Sequence, residues 1–201
     1  MGYDPTLEGF PFYNIPAGYL KKLKEQRISF YVLHIPLDKN GDYSTSVNLA
    51  KELQLEITSQ FCEYLGHKVG VICETSFTKL KDFASHVENV IGHEIKIRGY
   101  GDEFIERNTV AVAAGGGCID FVAQELAALG INTFLTGCTR PIPSFEPNME
   151  FHRIAKEKKI NLVGATHYTT EKYACMAMVE YFAELGIHAE FIEGMPCMED
   201  L

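Results

Sequence analysis

Short apolar runs alternate along the chain with longer stretches in which apolar residues recur every third or fourth position. The short runs read as strands at 28–34 (ISFYVLH), 68–73, 94–98, 109–114, 132–135, 160–165 and 189–192. The longer stretches read as helices at 46–55, 56–65, 76–90, 118–129, 149–158 and 168–185. Strands alternating with helices predict an α/β protein with mainly parallel sheets. A near-continuous apolar strand such as 110–114 fits a sheet covered on both faces. The breaks richest in glycine and proline fall at 99–101 and 141–147. The first is a candidate boundary between sub-domains, and the second an ordered loop or a mobile flap.

Composition adds limits. Hydrophobic residues are 46% and charged residues 22%, as in an ordinary soluble globular protein. The formal net charge of −9 opposes a phosphate backbone, so generic nucleic-acid binding is not expected. The richest apolar stretch, 110–131, is interrupted by three glycines, Asp120, Gln124 and Glu125, so no membrane span is expected. The first ten residues, MGYDPTLEGF, do not read as a signal sequence. Six dispersed cysteines without a CxxC pair read as reduced thiols, which points to a cytoplasmic protein.

Candidate chemistry sits where predicted strands end. After 28–34 comes Ile-Pro-Leu-Asp38, placing His34 and Asp38 beyond a strand's carboxyl end, where open α/β sheets bind ligands. Asp38 also opens the turn sequence DKNG, and capping that turn is the alternative. A second strand leads into His167-Tyr-Thr-Thr-Glu171. Residues four apart share one helix face, so this imidazole and carboxylate can hold one metal ion. The alternative is Glu171 as a first-turn acid favoured by the helix dipole. Thr169 or Thr170 is available as the helix cap. Oxygen and imidazole donors together suit zinc, manganese or iron(II) better than calcium.

A third candidate is the glycine turn Gly115, Gly116 and Gly117 between a strand and a helix. Its amides, together with Thr170, are candidate contacts for a phosphate or carboxylate; a plain tight turn is the alternative. Cys118 reads as core, or as a thiol of lowered pKa at a helix start. His67, His86, His93, His152 and His188 read as surface residues. Phe10, Phe12, Tyr13 and Tyr19 read as an extended arm packing on the core or on a neighbouring subunit.

These segments resemble the GTP cyclohydrolase 1 type 2-like family, also called the Ngg-interacting-factor-three-like family. Three stretches carry the resemblance: His34-Ile-Pro-Leu-Asp38 with the following Asn48-Leu-Ala-Lys-Glu-Leu, the glycines 115–117 with Phe134-Leu-Thr-Gly137, and His167-Tyr-Thr-Thr-Glu171. It implies a three-layer α/β/α fold of two intertwined similar units and a ring-shaped homohexamer. It also implies up to two divalent metal ions per subunit (zinc, iron or manganese), bridged by Asp38 and Glu171. His167 would bind one ion, and His34 would be a ligand or lie just behind one.

The activity implied is hydrolase-like, on a nucleotide or other phosphorylated small molecule. The alternative is a non-catalytic metal-binding oligomer serving as scaffold or regulatory protein. On this reading 1–201 is one family unit, with 1–66 and 159–201 carrying the metal-site half and 67–158 the second α/β half. The sequence departs from the family in three places. No adjacent histidine pair occurs, Thr166 stands where glycine is usual, and Cys138 stands where an acid is commoner.

Overall fold

The structure is a computed structural model and describes residues 15–201. The chain divides into two compact units, Met1–Leu37 and Asp38–Leu201. Of the expected aromatic arm, Phe10, Phe12 and Tyr13 lie outside the described residues, and Tyr19 sits exposed on a helix.

In the first unit, helix α1 (Ala17–Glu25) buries none of its residues. The run 28–34, expected as a buried strand, forms no strand, and Tyr31 is 84% exposed. Apolar and β-branched composition favours an extended chain, but a strand is completed only by a neighbour that takes up its amides and carbonyls. The described residues of this unit supply none. A single helical turn, α2 (Ile35–Asp38), follows.

The second unit is built on one six-stranded sheet. Helix α3 (Thr45–Glu52) precedes the hairpin of β1 (Glu56–Tyr64) and β2 (His67–Glu74). Residues 56–65 are therefore strand, not the helix that their spacing predicts. The deciding signal is the turn: Leu65 and Gly66 both take positive φ (50° and 79°), the two-residue hairpin geometry that matches strand twist. Next come α4 (Leu80–Ile91), β3 (Lys96–Arg98), β4 (Thr109–Ala113), α5 (Asp120–Leu129) and β5 (Thr133–Thr136). The last elements are α6 (Glu146–Glu157), β6 (Asn161–Gly164) and α7 (His167–Glu184). The strand expected at 189–192 is absent, and Ile192 is exposed without a neighbouring strand to pair it.

Strand order is β1-β2-β4-β5-β6-β3. The β4–β5 and β5–β6 pairs are parallel, joined through α5 and α6, while β1–β2, β2–β4 and β3–β6 are antiparallel. The α/β class holds, but the sheet is mixed where mainly parallel pairing was expected. The tight turn at Leu65–Gly66 accounts for one of the three antiparallel pairs, β1–β2, since a two-residue connection forces antiparallel neighbours whereas parallel ones need a helical crossover. The sheet also runs through both expected sub-domains, since β1 and β6 belong to one and β2–β5 to the other.

Alternation along the strands separates two cores, giving three layers. Val71, Val110, Val112, Leu135 and Val163 pack with Leu49 of α3, Phe83 of α4 and Tyr173 of α7. Phe61, Ala111, Ala113, Phe134 and Leu162 pack with Leu126 of α5 and Phe151 of α6. Among the described residues no helix is long and apolar enough to cross a membrane. All six cysteines are free. Burial pushes the thiols of Cys62 and Cys73 up to about 12, and Cys118 also rises well above its ordinary value. Cys118 is thus core: its side chain is buried, and α5 starts only at Asp120.

Candidate metal centre

Strand β6 ends at Gly164, and two residues later Thr166 caps α7, its hydroxyl accepting from Thr169 N–H at 3.4 Å. The cap is thus Thr166, one turn earlier than Thr169 or Thr170. That makes His167 the first helical residue and places Glu171 one turn on. Their side chains meet, with Nε2 3.1 Å from Oε1. His167 is about half exposed and Glu171 about one-third, so the pair faces outward from the helix start.

Two glycines make room for this pair. Gly115 has φ +71°, and a Cβ there would run into Glu171 Oε1 and stand 3.0 Å from His167 Nε2. A Cβ at Gly137 would stand 2.7 Å from Gly115 O and 2.8 Å from His167 Cα. The turns after β4 and β5 therefore lie directly against the start of α7. Thr170, fully buried, accepts Gly115 N–H at 2.9 Å through its hydroxyl. Gly117 N–H donates to Thr136 Oγ1 at 3.1 Å, and Gly115 O accepts from the amides of Gly137 and Cys138. The amides of Gly115 and Gly117 are thus engaged inside the protein, and Thr170 ties the glycine turn to α7.

Asp38 and Thr45 are in contact, Thr45 Oγ1 donating to Asp38 Oδ1 at 3.2 Å. The charge of Asp38 acts on His167, together with that of Asp200. His34 belongs to the first unit, where its carbonyl accepts from Leu37 N–H. The hydrogen bond that the ring donates to Glu171 is the main cause that raises the His167 pKa above its ordinary 6.5, against an opposing effect of burial. A raised histidine pKa stabilises the fold most fully below the ordinary value, and that contribution is lost as pH rises through the raised one. In metal-free protein, Glu171→Gln should lower the His167 midpoint in an NMR titration of the ring protons. An unmoved midpoint would assign the shift to another group.

A divalent ion is the group that this donor chemistry would take, and the described residues fit it in part. His167 and Glu171 offer one nitrogen and one carboxylate on a common face, with the space over them kept clear by Gly115. Among the described residues no group of three or more His, Cys, Asp and Glu side chains is gathered closely enough to hold a metal ion. The pair supplies two donors, and the other positions of an ion seated on it would be filled from elsewhere.

The family model for Duf34/NIF3 (NGG1p interacting factor 3) matches residues 11–196. The chain belongs to the Duf34/NIF3 family. A Deinococcus radiodurans protein named GTP cyclohydrolase 1 type 2 homolog is 30% identical over 167 residues, 82% of this chain and 59% of its own. An Archaeoglobus fulgidus protein of the same name is 27% identical over 186 residues, 88% of this chain and 69% of its own. This Duf34/NIF3 chain thus spans about three-fifths of the Deinococcus relative. The solved structure of protein ybgI, described as of unknown function, superposes with a TM-score of 0.74 at 23% identity, over 96% of this chain and 71% of that one. At that identity the likeness concerns the fold.

Several contributors at the centre were not singled out from sequence. Thr166, noted from sequence only as a departure from the usual glycine, had a signal, since a threonine directly before a helix is a favoured N-cap residue. Asp200 had none: it lies 33 positions from His167, whose N–H it accepts at 2.9 Å. Of the histidines read as surface, His152 is buried, with Tyr100 Oη 3.1 Å from its Nδ1 and its pKa lowered by burial. His86 Nε2 lies 2.9 Å from Leu53 O, and His93 Nε2 lies 2.9 Å from Thr169 Oγ1. Their polar neighbours in sequence hide these partners, which come from other elements.

Proposed function

We propose that this Duf34/NIF3 protein binds a divalent metal ion on His167 and Glu171, with Asp38 as an adjoining carboxylate, and acts as a metal-dependent hydrolase on a nucleotide or similar phosphorylated molecule. The observation that carries the reading is the 3.1 Å approach of His167 Nε2 and Glu171 Oε1 over a glycine that cannot accept a side chain. Zinc, manganese or iron(II) suits this mixed donor set. When bound, such an ion supplies Lewis acidity to an anionic ligand. The protein's own part is to hold the donors: Thr166 fixes where α7 starts, Thr170 fastens it to the glycine turn, and Thr45 orients Asp38. The name carried by the relatives suggests a purine nucleotide as one substrate to try.

A second reading is a metal-binding oligomer without catalysis. It is favoured by the engagement of the Gly115 and Gly117 amides within the protein, which leaves them unavailable to an anion. A homohexamer, inherited from the family resemblance, belongs to either reading, and light scattering measures it. Elemental mass spectrometry on protein purified without a histidine tag tests the metal. About one ion per chain is expected, two would require donors beyond those described, and none would overturn the reading. Turnover of nucleoside triphosphates by the metal-loaded protein then separates hydrolase from scaffold.

A further inference from the structure

We propose that Asp200, in the 3-10 turn Met198–Asp200, is a positioning residue of the His167–Glu171 centre. The inference rests on the metal reading for its purpose, but its geometry is independent of it. The first amides of any helix lack partners within the helix. In α7 the Thr166 hydroxyl accepts the Thr169 N–H, which leaves the amide of His167 for another acceptor. Asp200 Oδ2 takes it at 2.9 Å.

Asp200 is itself held in place. Its carbonyl accepts from Thr139 N–H at 2.9 Å and Arg140 N–H at 3.1 Å, in the loop that follows β5. Its own amide donates to Cys197 O at 3.1 Å, closing the turn. Six residues earlier, Gly194 N–H donates to Tyr168 Oη at 2.6 Å, beside His167 in sequence. A Cβ on Gly194 would stand 3.0 Å from the Tyr168 ring, so Gly194 packs directly against that ring. Arg140 and Glu199 lie 3.9 Å apart with both side chains well exposed, a pair too loose to contribute to that hold.

The segment 194–200 thus spans from α7 to the loop after β5 and grips the helix at both of its first two residues. The Asp200 carboxylate does two things there. It fixes the backbone of His167, and so the base from which the imidazole reaches Glu171. It also adds a negative charge close to the ring without joining the pair. Outer residues of this kind orient a ligand and commonly change metal affinity by about 10–100-fold when removed.

The test compares full-chain Asp200→Ala, Asp200→Asn and the neighbouring control Glu199→Ala. Hydrogen exchange of the His167 amide and the chemical shifts of its ring are measured in metal-free protein, and zinc affinity by calorimetry. In Asp200→Ala the amide should exchange about tenfold faster and the ring signals should move. Zinc should bind about tenfold more weakly. Asp200→Asn keeps an acceptor oxygen and should restore the amide protection. Glu199→Ala should match the unaltered protein in all three readouts. Unchanged exchange and ring shifts in Asp200→Ala, or equal changes in Glu199→Ala, would overturn the proposal. If no variant binds zinc and yet Asp200→Ala frees the His167 amide, the positioning role stands and the metal reading falls.

Discussion

Glu171→Gln should lose most of the protein's affinity for divalent metal, by at least about 100-fold, with the fold unchanged. The neutral amide is nearly isosteric with the carboxylate but lacks the charge that makes it a hard anionic donor. Glu171 is about one-third exposed and its Oε1 faces His167, so the substitution leaves no buried charge without a partner. Circular dichroism and the unfolding midpoint should therefore match the unaltered protein while zinc calorimetry flattens. Full zinc occupancy in this variant would remove Glu171 from the centre and move the search to the other carboxylates near His167.

Gly137→Ala should be the most damaging single methyl in this part of the molecule, costing about 3 kcal/mol or more in urea unfolding. The added carbon would stand 2.5 Å from Thr170 Oγ1, 2.7 Å from Gly115 O and 2.8 Å from His167 Cα. Two of those are backbone atoms of separate elements, so no side-chain rotation relieves the contact. Gly66→Ala is the instructive contrast. Gly66 has φ +79° but open space around it, so only conformational strain applies, about 1 kcal/mol. Equal losses in the two variants would show that the turn after β5 can withdraw from α7, and that the helix start is not fixed by it.

Much of the fold could be read from the chain because alternation and helical spacing record burial directly. Residues 110–113 alternate between two cores, and α5 keeps its apolar spacing. The misreadings have physical causes. In 56–64 the spacing of apolar residues fits either period, and only the two positive-φ residues of the turn decide for a hairpin. At 28–34 and 189–192 the local preference is for extended chain, but pairing depends on what lies alongside. The pairing of His167 with Glu171 was legible because both sit on one helix. The contributions of Asp200, Gly137 and His93 were not, because each reaches α7 from a distant part of the sequence.

The uncovered run Ile28-Ser-Phe-Tyr-Val-Leu33 has a consequence for the protein's behaviour in solution. It carries no charge and no proline, it is rich in aromatic and β-branched residues, and Ile28, Phe30 and Tyr31 are each more than half exposed. A segment of that composition is a template for stacking against identical copies. The net charge of −9 keeps molecules apart at low ionic strength. Salt shortens the reach of that repulsion to about 8 Å at physiological strength and about 3 Å at 1 M. Raising the salt concentration should therefore favour self-association through this stretch, which light scattering across a salt series would measure.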